Sequence, residues 1–266
     1  MTGAGRNLII TGLPRSGTSL LCARVNAFSN SAIINEPPEL FEATKAADMA
    51  GLGRVYAQYR EDIAQGKPVL NKIKDGKFIE DTRLEDSRSP HVHPVDNTSF
   101  TLGIKNTLLF LAMLSDITRL NQFSVVASIR HPLDCVASWR SVSFPHLKHA
   151  KPDFLQAYAS ADFKSDLQAL IVEPDIDIRA ALLWCLLAKT IIRAKKKLLL
   201  LRYEDMVKRP DRCVDQLANY LAVDLPAEKF DVSSPVRRRV DLEPAQVDKI
   251  SAICTKLASN FGYRMN

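Results

Sequence analysis

The sequence predicts an α/β domain in three layers, with a central, mostly parallel sheet flanked by helices, and three stretches carry that expectation. Asn7 to Val25 (NLIITGLPRSGTSLLCARV) reads as an apolar strand, a glycine-bounded turn and a helical segment in succession. Phe123 to Ile129 (FSVVASI) is an interior strand that stops at a polar corner just before Pro132, a residue suited to the first turn of a helix. Leu198 to Leu201 is wholly apolar and follows an apolar helix over Ile178 to Ala194. Strands buried on both faces read as continuous apolar runs, and helices between them are the crossovers that parallel pairing requires. At 266 residues and 46% hydrophobic the chain can bury one sizeable core, and neither an internal repeat nor a low-complexity linker divides it. One domain over 1–266 is expected, with insertions at about 66–100 and 144–177.

The first strand, Leu8 to Ile10, ends in a glycine turn, and after Gly17 the residues Leu20, Ala23 and Arg24 take helical spacing. A strand feeding a helix this way aims backbone amides and the positive end of the helix dipole at one point, where an anion belongs. The octapeptide GLPRSGTS, Gly12 to Ser19, fits the nucleotide-binding GxxxxGK[ST] at both glycines and at Ser19. This makes the expected fold P-loop NTPase-like. Thr18 stands where the lysine belongs, and the positive charge has moved to Arg15. Kinases and GTPases use that lysine on the β and γ phosphates and the hydroxyl on Mg²⁺, so this loop suits a different pair of anionic groups. The bland alternative is an ordinary turn rich in Gly, Ser and Pro. Gly3 to Gly5 (GAG) precedes the strand and is no dinucleotide fingerprint.

Ser31 to Asn35 (SAIIN) reads as a second strand, halted by Pro37 and Pro38, which places Glu36 at a strand's carboxyl end, where open α/β sheets bind ligands. Glu36 is either a base there or an acid ahead of a helix over Glu39 to Tyr59. Gly66 to Phe100 reads as a long loop with one strand or turn, and its His91 and His93 are exposed loop residues or a metal fragment. Thr101 to Ile104 is a short strand ending at Lys105, which is a solvated lysine or a second cation at a strand-to-helix corner; a helix to about Leu120 follows. Arg130 ends the Phe123 strand, and Ser138 lies two helical turns on, so a guanidinium and a hydroxyl can approach one oxyanion. A simple Arg130–Asp134 pair is the alternative. Phe144 to Asp177 is a polar insertion with a helix near Phe154 to Leu170, and Lys195 to Lys197 complement a helix end. Arg202 to Pro210 reads as a turn, Asp211 to Leu221 as a helix, Arg237 to Arg239 as a basic turn, and Pro244 to Asn260 as a closing helix.

Five cysteines without CxxC or matching histidine spacing exclude a zinc ribbon and a disulfide framework. The net charge of +6 suits anionic ligands, but no basic and aromatic interleaving points to nucleic acid. No apolar stretch is long enough for a bilayer and no leader precedes the first strand, so a cytoplasmic protein without a membrane span is expected.

Taken together, the segments resemble the sulfotransferases that use 3′-phosphoadenosine 5′-phosphosulfate (PAPS). Pro14 to Thr18 (PRSGT) is similar to their 5′-phosphosulfate loop, with Arg15 as its basic residue and Ser16, Gly17, Thr18 and Ser19 around it. Arg130 to Ser138 (RHPLDCVAS) matches their 3′-phosphate motif, and Leu200 to Met206 (LLRYEDM) resembles their last strand and helix. The resemblance implies that Glu36, in NEP, is the general base found in the tyrosylprotein and several carbohydrate or bacterial branches. It implies too that Lys105, in GIKNT, contacts the transferring group as in their GxKTP segment, although Asn106 and Thr107 depart from that pattern. Arg237, Arg238 and Arg239 correspond to a basic loop that closes over the 3′-phosphate. A histidine base, as in the steroid and phenol branch, leaves His91 or His93 as the fallback.

The implied activity is PAPS-dependent O-sulfotransfer to a hydroxyl acceptor, a carbohydrate or related alcohol being favoured, with PAP as product and no metal required. The sulfuryl group carries less charge than a phosphoryl group, so a metal clamp is less necessary. Arg15, Lys105 and the loop amides would stabilise developing charge, and Glu36 would take the hydroxyl proton. A homodimer is compatible with this reading. The rivals are a nucleotide kinase or NTPase, which would need a lysine near Thr18, and a non-catalytic protein that binds PAPS or PAP.

Overall fold

The computed structural model describes residues 5–79, 87–225 and 242–265. Strand β1 (Asn7–Gly12) turns into α1 (Thr18–Asn26), and β2 (Ser31–Asn35) follows. Where one helix is predicted over 39–59 there are two, α2 (Glu39–Ala43) and α3 (Met49–Ala64). The break is local: Ala46 and Ala47 sit at φ 55° and 58°, and the Asp48 carboxylate accepts from the Gly51 amide at 2.9 Å, starting a new helix. The stretch predicted as loop carries β3 (Val69–Asn71), β4 (Ile73–Lys74), β5 (Lys77–Phe78) and β6 (Ser89–His91), paired antiparallel as β3–β6 and β4–β5. Strands of two or three residues are too short for an alternation to register in sequence.

Strand β7 (Thr101–Lys105) precedes α4 (Leu108–Ala112) and α5 (Leu114–Leu120), the single predicted helix being divided at Met113. Next come β8 (Ser124–Ile129), α6 (Pro132–Arg140), α7 (Pro145–Lys148) and α8 (Ala161–Ile171). A 3₁₀ turn at Asp153–Ala157 replaces the start of the helix expected from Phe154. Helix α9 (Ile176–Ala194) leads to β9 (Leu199–Arg202), and Tyr203–Lys208, predicted as a turn, is helix α10. Helices α11 (Pro210–Leu221) and α12 (Pro244–Ala258) complete the described chain.

The main sheet has the order β2-β7-β1-β8-β9, and every neighbouring pair is parallel. The period of two sorts its side chains into two cores. Ile9, Ala32, Ile34, Val125, Ala127 and Ile129 pack with α3, α4, α9 and α12. Leu8, Ile10, Ile33, Val126 and Leu201 pack with α1 and α11 on the other face. From β1 the chain runs outward to β2, returns to β7, and then crosses to β8 and β9 on the opposite side. The carboxyl ends of β1, β7 and β8 therefore flank a switch point, the place where open α/β sheets bind ligands. Among the described residues no helix is long and apolar enough to cross a membrane.

Candidate active site

At the end of β1, Gly12 has φ 142° and lies so close to β8 that a Cβ there would come within 2.4 Å of the Ser128 oxygens. The Leu13 amide then donates to the Ser128 carbonyl at 3.0 Å, and the Ser16 amide to the Leu13 carbonyl at 3.0 Å. The Ser16 hydroxyl is fully buried and engages Leu13 and Ser128, so the amide and hydroxyl of this residue both fasten the turn, the hydroxyl tying it to β8. Arg15 stands at φ 69°. Gly17, at φ 82°, precedes α1 without a side-chain cap, and the first turn of α1 carries no acid. The first turn of a helix leaves amides without intrahelical partners, and here Thr18 and Ser19 supply two of them beside Arg15.

Gly17 also underlies the neighbouring corner, because a Cβ on it would meet the Tyr203 ring at 2.7 Å. Gly17→Ala combines the left-handed backbone cost of about 1–2 kcal/mol with displacement of that ring. The variant is expected to melt at lower temperature than wild type; an unchanged melting temperature would contradict this.

Register builds the second corner. Ile129 pairs with Arg202, so the next residues, Arg130 and Tyr203, lie side by side, and the guanidinium sits 4.4 Å from the ring centre. Arg130 Nη1 donates to the Arg15 carbonyl at 3.1 Å, and Arg15 Nε donates to Ser138 Oγ at 3.3 Å. The glycine turn and the Arg130–Ser138 segment therefore meet. Of the two readings left open for Arg130, the ion pair is only marginal: Asp134 lies 4.0 Å from Nε, which is buried without a hydrogen-bond partner. The Trp139 indole holds the Pro14 carbonyl at 2.9 Å and the Trp184 indole the Arg130 carbonyl at 3.1 Å, which fixes both backbones.

The third corner is Glu36. Asn35 pairs with Lys105, the Glu36 amide donates to the Lys105 carbonyl at 2.9 Å, and φ 54° turns Glu36 sharply off the strand. Its carboxylate lies between two ammonium groups, Lys105 Nζ at 2.6 Å from Oε1 and Lys72 Nζ at 2.5 Å from Oε2. Both lysines are 3% exposed, so Lys105 is not the solvated residue that one reading of the sequence offered. Burial alone would raise the carboxyl pKa, but Lys105 and Lys72 more than offset it and hold it down to about 2. Glu36 thus does not cap α2; its half-buried carboxylate is committed to the two lysines. The thiol of Cys22, close enough to feel all three charges, is pushed up by burial to about 12.

Lys72 was not singled out from the sequence, since it stands among mixed charges in a segment read as loop. Its place is set by Asn71, whose Oδ1 accepts from the Asn35 and Lys72 amides, both at 2.9 Å, while its Nδ2 donates to the Ile33 carbonyl at 2.6 Å. His93 is likewise no exposed loop residue. It is 3% exposed, sets Nε2 3.3 Å from Asn71 Nδ2, and packs edge-on to His91 with ring centres 4.7 Å apart. Burial, and then the proximity of His91, lowers its pKa to about 4, so it is neutral at ordinary pH. No group of three or more His, Cys, Asp or Glu placed to hold a metal ion occurs among the described residues. Arg237, Arg238 and Arg239 lie outside the described residues.

The structure therefore joins Arg15, Ser138 and Arg130 beside the uncapped start of α1, and it holds the Glu36 carboxylate between Lys72 and Lys105, the latter at the end of β7, which neighbours β1. The family described as "Sulfotransferase domain" matches residues 6–234. No curated protein matches the chain. Among solved structures, a sulfotransferase from Alicyclobacillus acidocaldarius is 14% identical, with 97% of this chain and 94% of that one covered and a TM-score of 0.52. The sulfotransferase domain from the curacin biosynthetic pathway is 14% identical over 99% of both chains, with a TM-score of 0.48. That of the Synechococcus PCC 7002 olefin synthase is 15% identical over 98% and 96%, also at 0.48. At such identities the Alicyclobacillus likeness speaks to the fold alone.

Proposed function

The chain belongs to the family of PAPS-dependent sulfotransferases, and on that footing we propose that it sulfates a carbohydrate or related alcohol with Glu36 as general base. The family supplies the donor, PAPS, and the class of reaction, sulfuryl transfer to a hydroxyl-bearing acceptor. The residues present suit that donor: the uncapped helix start beside Arg15 suits one anionic end, and the Arg130 guanidinium, whose Nε makes no hydrogen bond, can donate to the other. Arg15, Gly17, Thr18 and Ser19 hold the 5′-phosphosulfate, with Ser16 shaping the loop, and Arg130 and Ser138 hold the 3′-phosphate. Binding energy at the 3′-phosphate, remote from the reacting sulfur, is thereby used for orientation.

In the transfer, Glu36 takes the proton of the acceptor hydroxyl, the acceptor oxygen bonds to sulfur, and the bond from sulfur to the phosphate oxygen breaks, leaving PAP. Arg15 and Lys105 stabilise the charge that develops on the sulfuryl and leaving oxygens. The observation that carries this reading is the contact of the two motifs, Arg15 on Ser138 and Arg130 on the Arg15 carbonyl. The carbohydrate preference follows the glutamate-base branches that Asn35 to Pro37 (NEP) resembles.

The test is transfer of labelled sulfate from PAPS to separate pools of sugars, phenols and long-chain alcohols. Label is expected in the sugar pool. Transfer to phenols or lipidic alcohols with none to sugars would remove the carbohydrate reading while leaving sulfotransfer intact.

A further inference from the structure

Two lysines grip one carboxylate, and they reach it from different parts of the fold. Lys105 ends β7, next to the strand that carries the anion-binding turn, so it can serve both Glu36 and a group bound at that turn. Lys72 follows β3, in the small β3–β6 sheet outside the main one. Its backbone is fastened to β2 by Asn71, fully buried, which bridges the Asn35 amide, the Ile33 carbonyl and the Lys72 amide. Glu36 is thus tied to Lys72 twice, through the side chains and through this backbone bracket. A carboxylate held on both oxygens by ammonium groups is a poor base, and it becomes a useful one only when one oxygen is released toward the acceptor.

We propose that Lys72 is the positioning residue of the reaction, keeping hold of Glu36 Oε2 while Lys105 leaves Oε1 for the transferring sulfuryl group. The inference rests on the reading of Glu36 as base and adds a division of labour between the two lysines. Lys105 moves to the reacting atoms; Lys72 stays, aims the freed oxygen and keeps the carboxylate ionised. The charged and titratable groups facing Glu36 among the described residues are Lys72, Lys105 of β7, Arg88, which donates to the Glu36 carbonyl at 3.0 Å, and the neutral thiol of Cys22 from α1. Among the described residues, removing Lys72 leaves Lys105 as the cation on the carboxylate, and that one is drawn away in the complex.

Steady-state kinetics of Lys72→Met test this, with PAP affinity measured by calorimetry. The variant is expected to lose about 10- to 100-fold in kcat with PAP affinity within about twofold of wild type. The acid limb of its kcat profile is expected to move up by about one pH unit, because a carboxyl that loses a cation titrates higher. Lys72→Arg, which keeps the charge, is expected to restore the wild-type limb, and it carries the same measurement if Lys72→Met does not fold. On a Glu36→Gln background, Lys72→Met is expected to change the residual rate by less than about twofold, since its effect on the reaction is exerted on the Glu36 carboxylate. An unmoved limb with unchanged kcat, a loss of PAP affinity matching the loss of kcat, or effects of Lys72→Met and Glu36→Gln that multiply would each overturn the proposal. Full activity of Glu36→Gln by itself would instead remove the base assignment on which it rests.

Discussion

Glu36→Gln is expected to lower kcat by roughly 10²- to 10⁴-fold while PAP binds within about twofold of wild type. The amide keeps the shape of the carboxylate but cannot take the acceptor proton, and it removes the charge shared by two buried ammonium groups, Lys72 and Lys105. In the free enzyme the carboxyl is held at about 2, below its ordinary 4.5, so Glu36 stabilises the fold above pH 4.5 and that contribution is lost as the pH falls toward 2. The Gln variant lacks this pH-dependent part, and acid unfolding of the two proteins checks it. Once Lys105 is engaged elsewhere, the carboxyl titrates higher. The acid limb of kcat is therefore expected at higher pH than that of kcat/KM, and coincident limbs would argue that Lys105 never leaves Glu36.

Arg130→Ala is expected to weaken PAP binding by roughly 10- to 100-fold, the range for losing charge-assisted hydrogen bonds worth about 1.5–3 kcal/mol. Adenosine 5′-phosphosulfate, which lacks the 3′-phosphate, is expected to lose much less. The difference matters because Arg130 also holds the Arg15 carbonyl at 3.1 Å, so its removal loosens the first grip to some extent for both ligands. Arg130→Lys should recover only part of the loss, since an ammonium cannot reproduce the guanidinium's seat 4.4 Å over the Tyr203 ring together with its forked donors. Calorimetric titration of both nucleotides into the three proteins decides the matter, and equal weakening of the two would remove the 3′-phosphate role.

The central strands were legible because each is a continuous apolar run ending at Gly, Pro or a charge, and residues at their carboxyl ends could be placed without knowing any contact. Arg15, Glu36, Lys105 and Arg130 all stand at or just beyond such ends. The meeting of Arg15 with Ser138 was legible only as a resemblance, since it joins positions whose proximity depends on the pairing of β1 with β8. Lys72 was hidden for a sharper reason. Its burial depends on Glu36 and Asn71, and its own segment shows only the three-residue alternation of Val69, Leu70 and Asn71, buried, exposed and buried. An asparagine on the inward side of that alternation was the one local hint. The divided helices failed for a related reason: apolar spacing continues through Met113 and across the Ala46–Ala47 turn, while the breaks are set by backbone angles that spacing does not report.

The claim on which the rest depends is that Arg15 and Arg130, on the tips of adjacent strands, grip the two ends of one nucleotide. A crystal structure of the protein with PAP bound measures this directly. It should show the 5′-phosphate against Arg15 and the first amides of α1, and the 3′-phosphate against Arg130 and Ser138. PAP seated elsewhere, or touching one of the two arginines but not the other, would contradict it.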